Sequence, residues 1–184
     1  MIRIFDFIFS LIGLILLSPI LLLITILGFF DTGSPFFKQE RVGKNKIPFQ
    51  LLKFRSMNLN TKSVATHLVN AHKITKLGSF LRKSKLDELP QLFNVLHGDM
   101  SLVGPRPNLY NQEELIIERE LRGVYNVLPG ITGLSQIKKI DMSTPKLLAE
   151  TDAIMTQNLS IKKYLYYLIA TILGNGFGDR VVRN

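Results

Sequence analysis

Two adjacent acidic residues, Asp87 and Glu88, are the strongest candidates for chemistry in this sequence. Apolar residues recur at helical spacing around them, and Pro90 is tolerated only in the first turn of a helix, so the pattern predicts a helix that starts near Asp87. Carboxylates at a helix start face the positive end of the helix dipole, which keeps them ionised and therefore nucleophilic or able to bind Mg²⁺. A helix cap followed by a favourable first-turn acid would explain the same two residues without any chemistry.

Four basic residues are candidates to converge on this pair: Lys53, Arg55, Arg82 and Arg106. The first two are predicted to share one face where the second strand of a β-hairpin ends, the hairpin running from Phe36 to Phe54 with a basic turn at residues 43–46. Phosphoryl transfer needs such a clamp, because its catalysis is mainly positioning and neutralisation of phosphate oxygens. Each cation alone would be equally well explained as a solvated surface residue.

The N-terminal residues 7–30 carry no charged side chain and are long enough to span a hydrocarbon layer, which needs about 20 residues. A signal peptide is disfavoured because no small-x-small cleavage site follows. Ser18-Pro19 lies near the middle, where proline kinks a helix and the serine can hydrogen-bond a freed carbonyl. A bent helix that enters and leaves on one face and a spanning helix with a tolerated kink both fit. Basic residues after Asp31 favour a cytoplasmic C-terminal side.

The formal net charge of +9 favours polyanionic partners, namely nucleic acid, anionic lipid headgroups or phosphorylated ligands. The absence of cysteine excludes disulfides and thiolate metal sites, and His67, His72 and His97 are too scattered for a zinc site. The sequence has no P-loop and no dinucleotide-binding fingerprint. It also lacks a recognition-helix or RNA-binding signature, which disfavours nucleic acid as the partner.

The length of 184 residues suits one compact domain with a small appendage, so we predict a membrane helix in residues 1–31 and a folded domain in residues 32–184. The fold class is predicted as α/β, mainly α. The remaining patterns predict, in chain order, a loop or short helix at 58–72, stiff turns at 104–107 and 129–133, a charged helix at 111–122, a helix from Thr144-Pro145, and an apolar helix at 161–173 that lies in the membrane interface or packs in the core.

Over nearly its whole length the sequence resembles the bacterial sugar transferases, specifically the small monotopic polyprenol-phosphate phosphoglycosyl transferases. The motifs that carry the resemblance are Ser18-Pro19, residues 39–43, Lys53-Phe54-Arg55-Ser56-Met57, Leu81-Arg82, residues 86–95, residues 98–107 and residues 129–133. The sequence departs from the family pattern at Leu128, where arginine is frequent, at Leu134, where tryptophan is frequent, and at Ile154-Met155, where a tyrosine is common.

The resemblance implies a two-step reaction. Asp87 would attack the β-phosphate of a UDP-sugar and release UMP, and the phosphosugar on the enzyme would then pass to a polyprenol phosphate. Glu88 would assist as a Mg²⁺ ligand or proton acceptor. Lys53, Arg82 and Arg106 match family positions that hold phosphate groups.

The resemblance also implies a compact membrane-interface domain with interfacial amphipathic helices. Ser18-Pro19 would break a re-entrant helix, leaving the catalytic domain on the cytoplasmic face of the bacterial inner membrane. Because the chain starts almost at that helix, it resembles the minimal catalytic form. Expected partners are the bilayer, both substrates and downstream glycosyltransferases, but not nucleic acid. Two other functions fit the same residues: a catalytically inactive scaffold for glycan assembly, and a membrane-tethered nucleic-acid-binding module.

Overall fold

The computed structural model describes residues 2–59 and 73–174, and these ranges form a mainly helical α/β fold. Our prediction for residues 58–72 lies outside them apart from its first two residues, as do His67 and His72. The helices are α1 (Ile2–Thr32), α2 (Lys76–Ser84), α3 (Gln91–His97), α4 (Glu113–Leu121), α5 (Leu134–Ile137), α6 (Pro145–Gln157) and α7 (Ile161–Ile172). The strands are β1 (Phe36–Val42), β2 (Pro48–Phe54), β3 (Ser101–Val103) and β4 (Gly130–Thr132), and 3-10 turns occupy Lys44–Lys46, Leu86–Glu88 and Val124–Asn126.

The predicted hairpin is confirmed: β1 and β2 pair antiparallel, with Phe37 opposite Lys53. In β2 the side chains of Phe49, Leu51 and Lys53 are buried in alternation, as the period-two pattern of a strand requires. Lys53 therefore points into the domain, and its neighbours along the same face belong to the core.

α1 is the one helix in the described part of the chain that is long and apolar enough to cross a membrane, judged by length and composition. One face of it packs along the domain, where Asp6, Ser10, Leu14, Ile24 and Gly28 are buried. The other face is apolar and exposed along its length, for example at Ile4, Leu16, Leu22 and Phe30. An exposed apolar face of this extent suits contact with lipid.

The helix runs without interruption through Ser18-Pro19. In a regular helix the N–H of residue 19 would bond to the carbonyl of Ile15, but proline has no N–H to donate. The Ser18 hydroxyl donates to that carbonyl instead, at 2.8 Å. The predicted rescue of the freed carbonyl by Ser18 is thereby confirmed, and it satisfies a backbone acceptor that would lack a partner in lipid.

The N-terminal turns of α1 are fixed to the domain by a buried polar cluster around Asp6. One carboxylate oxygen, Oδ1, accepts from Ser101 Oγ at 2.9 Å, from the Leu102 amide at 2.9 Å and from the Tyr164 hydroxyl at 2.8 Å. Burial and, after it, the Asp6 carboxylate raise the pKa of Tyr164 far above its ordinary value, so this hydroxyl stays protonated and donates. Arg3 adds a bond to the Met100 carbonyl at 3.1 Å.

β3 and β4 form a two-stranded parallel pair, with Ser101 opposite Gly130 and Val103 opposite Thr132. The prediction of a tight turn at residues 129–133 was wrong, because the glycines there serve close packing. A Cβ added to Gly130 would lie 2.0 Å from the Gly104 amide nitrogen, so only glycine lets these two segments approach.

The main core lies between these strands and the helices packed on them. Its buried members come from β2, α3, β3, α6 and α7 and the residue before β3: Phe49, Leu51, Val95, Met100, Leu102, Val103, Met155, Tyr164 and Tyr167. A smaller cluster of Ile24, Phe54 and Leu81 joins the C-terminal half of α1 to β2 and α2. The predicted helix from Thr144-Pro145 is confirmed as α6, and the predicted apolar helix is confirmed as α7.

Candidate active site

Asp87 and Glu88 lie in a short 3-10 turn between α2 and α3, and both are buried, with 2% and 8% of their surface exposed. The prediction that α3 begins near Asp87 was wrong: Pro90 is its N-cap and the helix starts at Gln91. Lys85 produces the change of direction after α2 by adopting φ 60°, in the left-handed region that non-glycine residues rarely occupy. The acidic pair therefore sits beside the helix start, and its charge is balanced by neighbouring cations.

Two of the predicted cations meet on one oxygen of Glu88. Lys53 Nζ donates to Glu88 Oε1 at 3.1 Å, and Arg106 Nη2 donates to the same oxygen at 2.7 Å. Lys53 comes from β2 and Arg106 from the loop after β3, so residues far apart in the chain converge here. A buried carboxylate needs such pairing, because an isolated charge is strongly disfavoured away from water.

Arg82 points toward the end of β2, the strand that carries Lys53. Its Nε donates to Ser56 Oγ at 2.8 Å, while its Nη1 is buried with no hydrogen-bond partner among the described residues. Gly78 lets α2 approach Ser56 closely, because any Cβ at this position would lie 2.0 Å from the Ser56 carbonyl oxygen. This close contact fixes the base of Arg82.

Arg55 is used elsewhere. It follows the last residue of β2, where strand alternation no longer decides its direction. Its Nε donates to the Ser34 carbonyl at 2.9 Å and its Nη2 to the Phe36 carbonyl at 3.1 Å, and the guanidinium lies 5.6 Å from the centre of the Phe37 ring. Of the predicted cations, Lys53 and Arg106 are brought onto Glu88, whereas Arg55 ties the end of α1 to the hairpin.

Sequence reasoning missed a buried network behind Arg106. Arg119, 1% exposed, donates from Nη1 to the Arg106 carbonyl at 2.9 Å and to Asn108 Oδ1 at 2.8 Å. Its Nε and Nη2 donate to Asp152 Oδ2 at 3.1 and 2.6 Å, and Ser135 Oγ donates to the other carboxylate oxygen at 2.5 Å. Arg119 thereby fixes the backbone that carries Arg106.

The acidic pair offers donor groups of the kind that magnesium binds. In the described ranges no group of three or more His, Cys, Asp or Glu side chains could hold a metal. Mg²⁺ commonly takes one or two carboxylates, keeps several waters and completes its shell with phosphate oxygens. Asp87 and Glu88 supply that donor set, whereas a permanently caged ion would need more protein ligands.

The family model for bacterial sugar transferases matches residues 1–176. This chain belongs to the bacterial sugar transferase family. It is 46% identical over 142 residues to the UDP-glucose:undecaprenyl-phosphate glucose-1-phosphate transferase of Klebsiella pneumoniae, covering 73% of this chain and 30% of that protein. It is 35% identical over 190 residues to the UDP-galactose-lipid carrier transferase of Erwinia amylovora, covering 92% of this chain and 39% of that protein.

A third relative has a similar length. The exopolysaccharide production protein PSS of Rhizobium leguminosarum bv. phaseoli is 38% identical over 177 residues, which cover 90% of this chain and 84% of that protein. The chain therefore spans about a third of the first two relatives and most of the third.

Two departures from the family pattern lie against each other. The Leu134 amide donates to the sulfur of Met155 at 3.1 Å. Met155 is buried in the main core, and Leu134 packs on that core. Both residues therefore belong to the packing between α5 and α6.

Proposed function

We propose that this protein transfers a sugar 1-phosphate from a UDP-sugar to a membrane polyprenol phosphate. The observation that carries the proposal is the oxygen of Glu88 shared by Lys53 and Arg106, beside the buried carboxylate of Asp87. Lys53 and Arg106 hold Glu88 directly, and we infer that Arg82, on the helix that precedes the acidic turn, adds a third positive charge, a balance that attracts a diphosphate. The names of the curated relatives, which specify UDP-sugars and undecaprenyl phosphate, support the same reaction class.

The reaction consists of two displacements at one phosphorus atom. In the first, a carboxylate oxygen of Asp87 attacks the β-phosphorus of the UDP-sugar, and the bond from that phosphorus to the bridging oxygen breaks, so UMP leaves with the bridging oxygen. In the second, a phosphate oxygen of the polyprenol phosphate attacks the same phosphorus and displaces the carboxylate. The sugar keeps its bond to the phosphate throughout, and the product is a polyprenol diphosphate sugar.

The neighbouring side chains position the diphosphate and neutralise its charge. Glu88 holds the ammonium of Lys53 and the guanidinium of Arg106 in fixed places, and the buried, unpaired Nη1 of Arg82 is the proposed third donor. Asp87 and Glu88 would hold Mg²⁺, which when bound supplies further neutralisation of the diphosphate. Burial of Asp87 limits access of water, which would otherwise hydrolyse the phosphosugar on the enzyme.

The attachment of α1 supports a helix that dips into one leaflet and returns. Asp6 anchors its N-terminal end to β3 and α7, and Ile24 packs near its C-terminal end against β2 and α2. A straight spanning helix would separate its ends by a hydrocarbon layer of about 30 Å. Both ends here contact the same domain, which supports our proposal that both lie on one face of the bacterial inner membrane, the cytoplasmic one. The exposed apolar residues of α7 suit an interfacial helix: Tyr166, Ile169, Ile172 and Leu173.

Labelling of introduced cysteines in intact cells tests this topology. The variants Ile2→Cys and Ser34→Cys place one thiol at each end of α1. Both thiols should resist a membrane-impermeant reagent and react after lysis. Labelling of residue 2 from outside would show a spanning helix and refute the re-entrant arrangement.

A panel of UDP-sugars offered together with undecaprenyl phosphate tests the function. UMP should be released with at least one member of the panel. Glu88→Gln should abolish most of this release, because it removes the charge that organises Lys53 and Arg106. Glu114→Gln, an exposed carboxylate in the first turn of α4, is the matched control and should keep wild-type turnover. A folded protein that releases UMP from no UDP-sugar would refute the proposal.

A further inference from the structure

An apolar cleft of about 190 Å³ opens beside the acidic pair. Its walls come from α3, β3, β4 and α7, and its apolar lining consists of Leu89, Leu92, Leu102, Ile131, Leu168 and Ile172. Lys85 and Glu88 line the same cleft. One end is therefore charged and belongs to the candidate active site. The remainder is mainly apolar; its polar members are Gln136 and the hydroxyls of Thr132 and Thr171, which are hydrogen-bonded to each other.

The cleft adjoins the surface that faces lipid. Leu92, in its wall, lies against Gly13 of α1, where an added Cβ would be 3.4 Å from Leu92 Cδ1. On the opposite wall, Ile172 is 83% exposed at the end of α7. The cleft thus lies between α3, which packs on the membrane helix, and α7, whose outer face is apolar. A ligand with a long apolar chain can reach it from the bilayer.

We propose that this cleft binds the first isoprene unit of the polyprenol phosphate acceptor, with Lys85 beside the acceptor phosphate. The proposal rests on the function proposed above. The volume of the cleft corresponds to about six water-sized groups. This suits one five-carbon unit and leaves the rest of the polyprenol chain in the membrane. Because Glu88 is shared by cleft and active site, a chain in the cleft brings its phosphate to Asp87.

The sugar of the donor is the competing occupant, and an unpaired polar atom in the wall favours it. Gln136 is 6% exposed and lines the cleft, and its Oε1 has no hydrogen-bond partner among the described residues. A sugar hydroxyl could donate to that oxygen. However, a sugar would place its other hydroxyls against the leucine and isoleucine lining, where they would be left unpaired. The lining therefore favours an isoprenoid.

A bulky side chain in the cleft separates these occupants. Leu168→Trp fills the cleft from α7, and Ile169→Trp adds similar bulk to the exposed side of the same helix, outside the cleft. If the acceptor binds here, Leu168→Trp raises the KM for undecaprenyl phosphate roughly tenfold, equivalent to about 1.4 kcal/mol. The single burst of UMP released without acceptor keeps the wild-type dependence on donor concentration, and the donor KM in full turnover is unchanged. Ile169→Trp leaves both constants at wild-type values. A raised donor KM in Leu168→Trp with an unchanged acceptor KM assigns the cleft to the sugar and overturns the proposal.

Photo-crosslinking of the unmodified protein provides a second measurement that no folding defect can affect. A short isoprenyl phosphate with a diazirine on its first isoprene unit should label peptides from α3, β4 or α7. Labelling confined to α1 would overturn the proposal. Wild-type protein that releases no UMP from any UDP-sugar fails the proposed function, whereas wild-type turnover with crosslinks elsewhere fails only the cleft assignment.

Discussion

Replacing Arg119 with lysine keeps the buried charge and removes the planar fork that organises the loop of Arg106. Arg119 donates four hydrogen bonds, two to Asp152 Oδ2 and one each to the Arg106 carbonyl and Asn108 Oδ1. A lysine ammonium can keep its ion pair with Asp152 but cannot reach all of these acceptors in one plane. The bonds to Arg106 and Asn108 should therefore be lost.

The expected cost follows from the number and type of these bonds. A hydrogen bond from a charged donor contributes about 1.5–3 kcal/mol, so loss of two should lower the free energy of unfolding by about 3 kcal/mol at the low end of that range. For a domain of this size the melting temperature falls by about 2–4 °C per kcal/mol, so a decrease of about 6–12 °C is expected. The backbone of Arg106 also loses its support, and kcat should fall about tenfold, since small displacements of a positioning group are costly.

Thermal unfolding in detergent and steady-state UMP release measure the two effects. Arg122→Lys is the matched control. Arg122 is the C-cap residue of α4, the helix that carries Arg119, and its ion pairs with Glu118 and Glu150 are partly exposed. Such pairs contribute about 0–1 kcal/mol, so this variant should melt within about 4 °C of the wild type. If Arg119→Lys melts as the control does, the buried network does not stabilise the domain. If it melts early but keeps wild-type kcat, Arg119 does not position Arg106.

Two further substitutions test the phosphate site and the membrane helix. Arg106→Lys should lower kcat/KM about tenfold or more, because it loses the planar guanidinium. Arg55→Lys should change turnover little, because the bonds of Arg55 go to backbone carbonyls. Equal losses in the two variants would place Arg55 in the phosphate site as well. Pro19→Leu restores an N–H that competes with Ser18 for the Ile15 carbonyl, so it should favour a straight, spanning helix, and unchanged cysteine labelling at both ends would show that Pro19 does not hold the topology.

The features that the sequence predicts well are those with a local periodic signal. Alternating apolar residues define β2 and direct Lys53 inward. The long uncharged N-terminal segment defines α1, and Thr144-Pro145 marks the start of α6 because proline suits a first helical turn. In each case the evidence lies within a few neighbouring residues.

Other features depend on contacts that no local pattern records. β3 and β4 have three residues each, too few for a period, and their pairing depends on backbone contact between Gly104 and Gly130. Arg119 lies in a helix with a charged sequence and is expected on the surface, yet its partner Asp152 from α6 makes it one of the most buried residues. The sequence pattern puts Arg55 on the same face as Lys53, but β2 ends at Phe54, one residue earlier, so strand alternation does not direct the Arg55 side chain.

The covalent intermediate on Asp87 is the central claim, and intact-mass spectrometry tests it most directly. Wild-type protein incubated with its UDP-sugar in the absence of acceptor should gain the mass of one sugar phosphate and release UMP, and added undecaprenyl phosphate should discharge that mass. Asp87→Asn, which keeps the size of the side chain, should gain no mass, whereas Asp31→Asn, an exposed control, should gain it as the wild type does. Full turnover of the wild type with no adduct, or an adduct that persists in Asp87→Asn, would contradict the account.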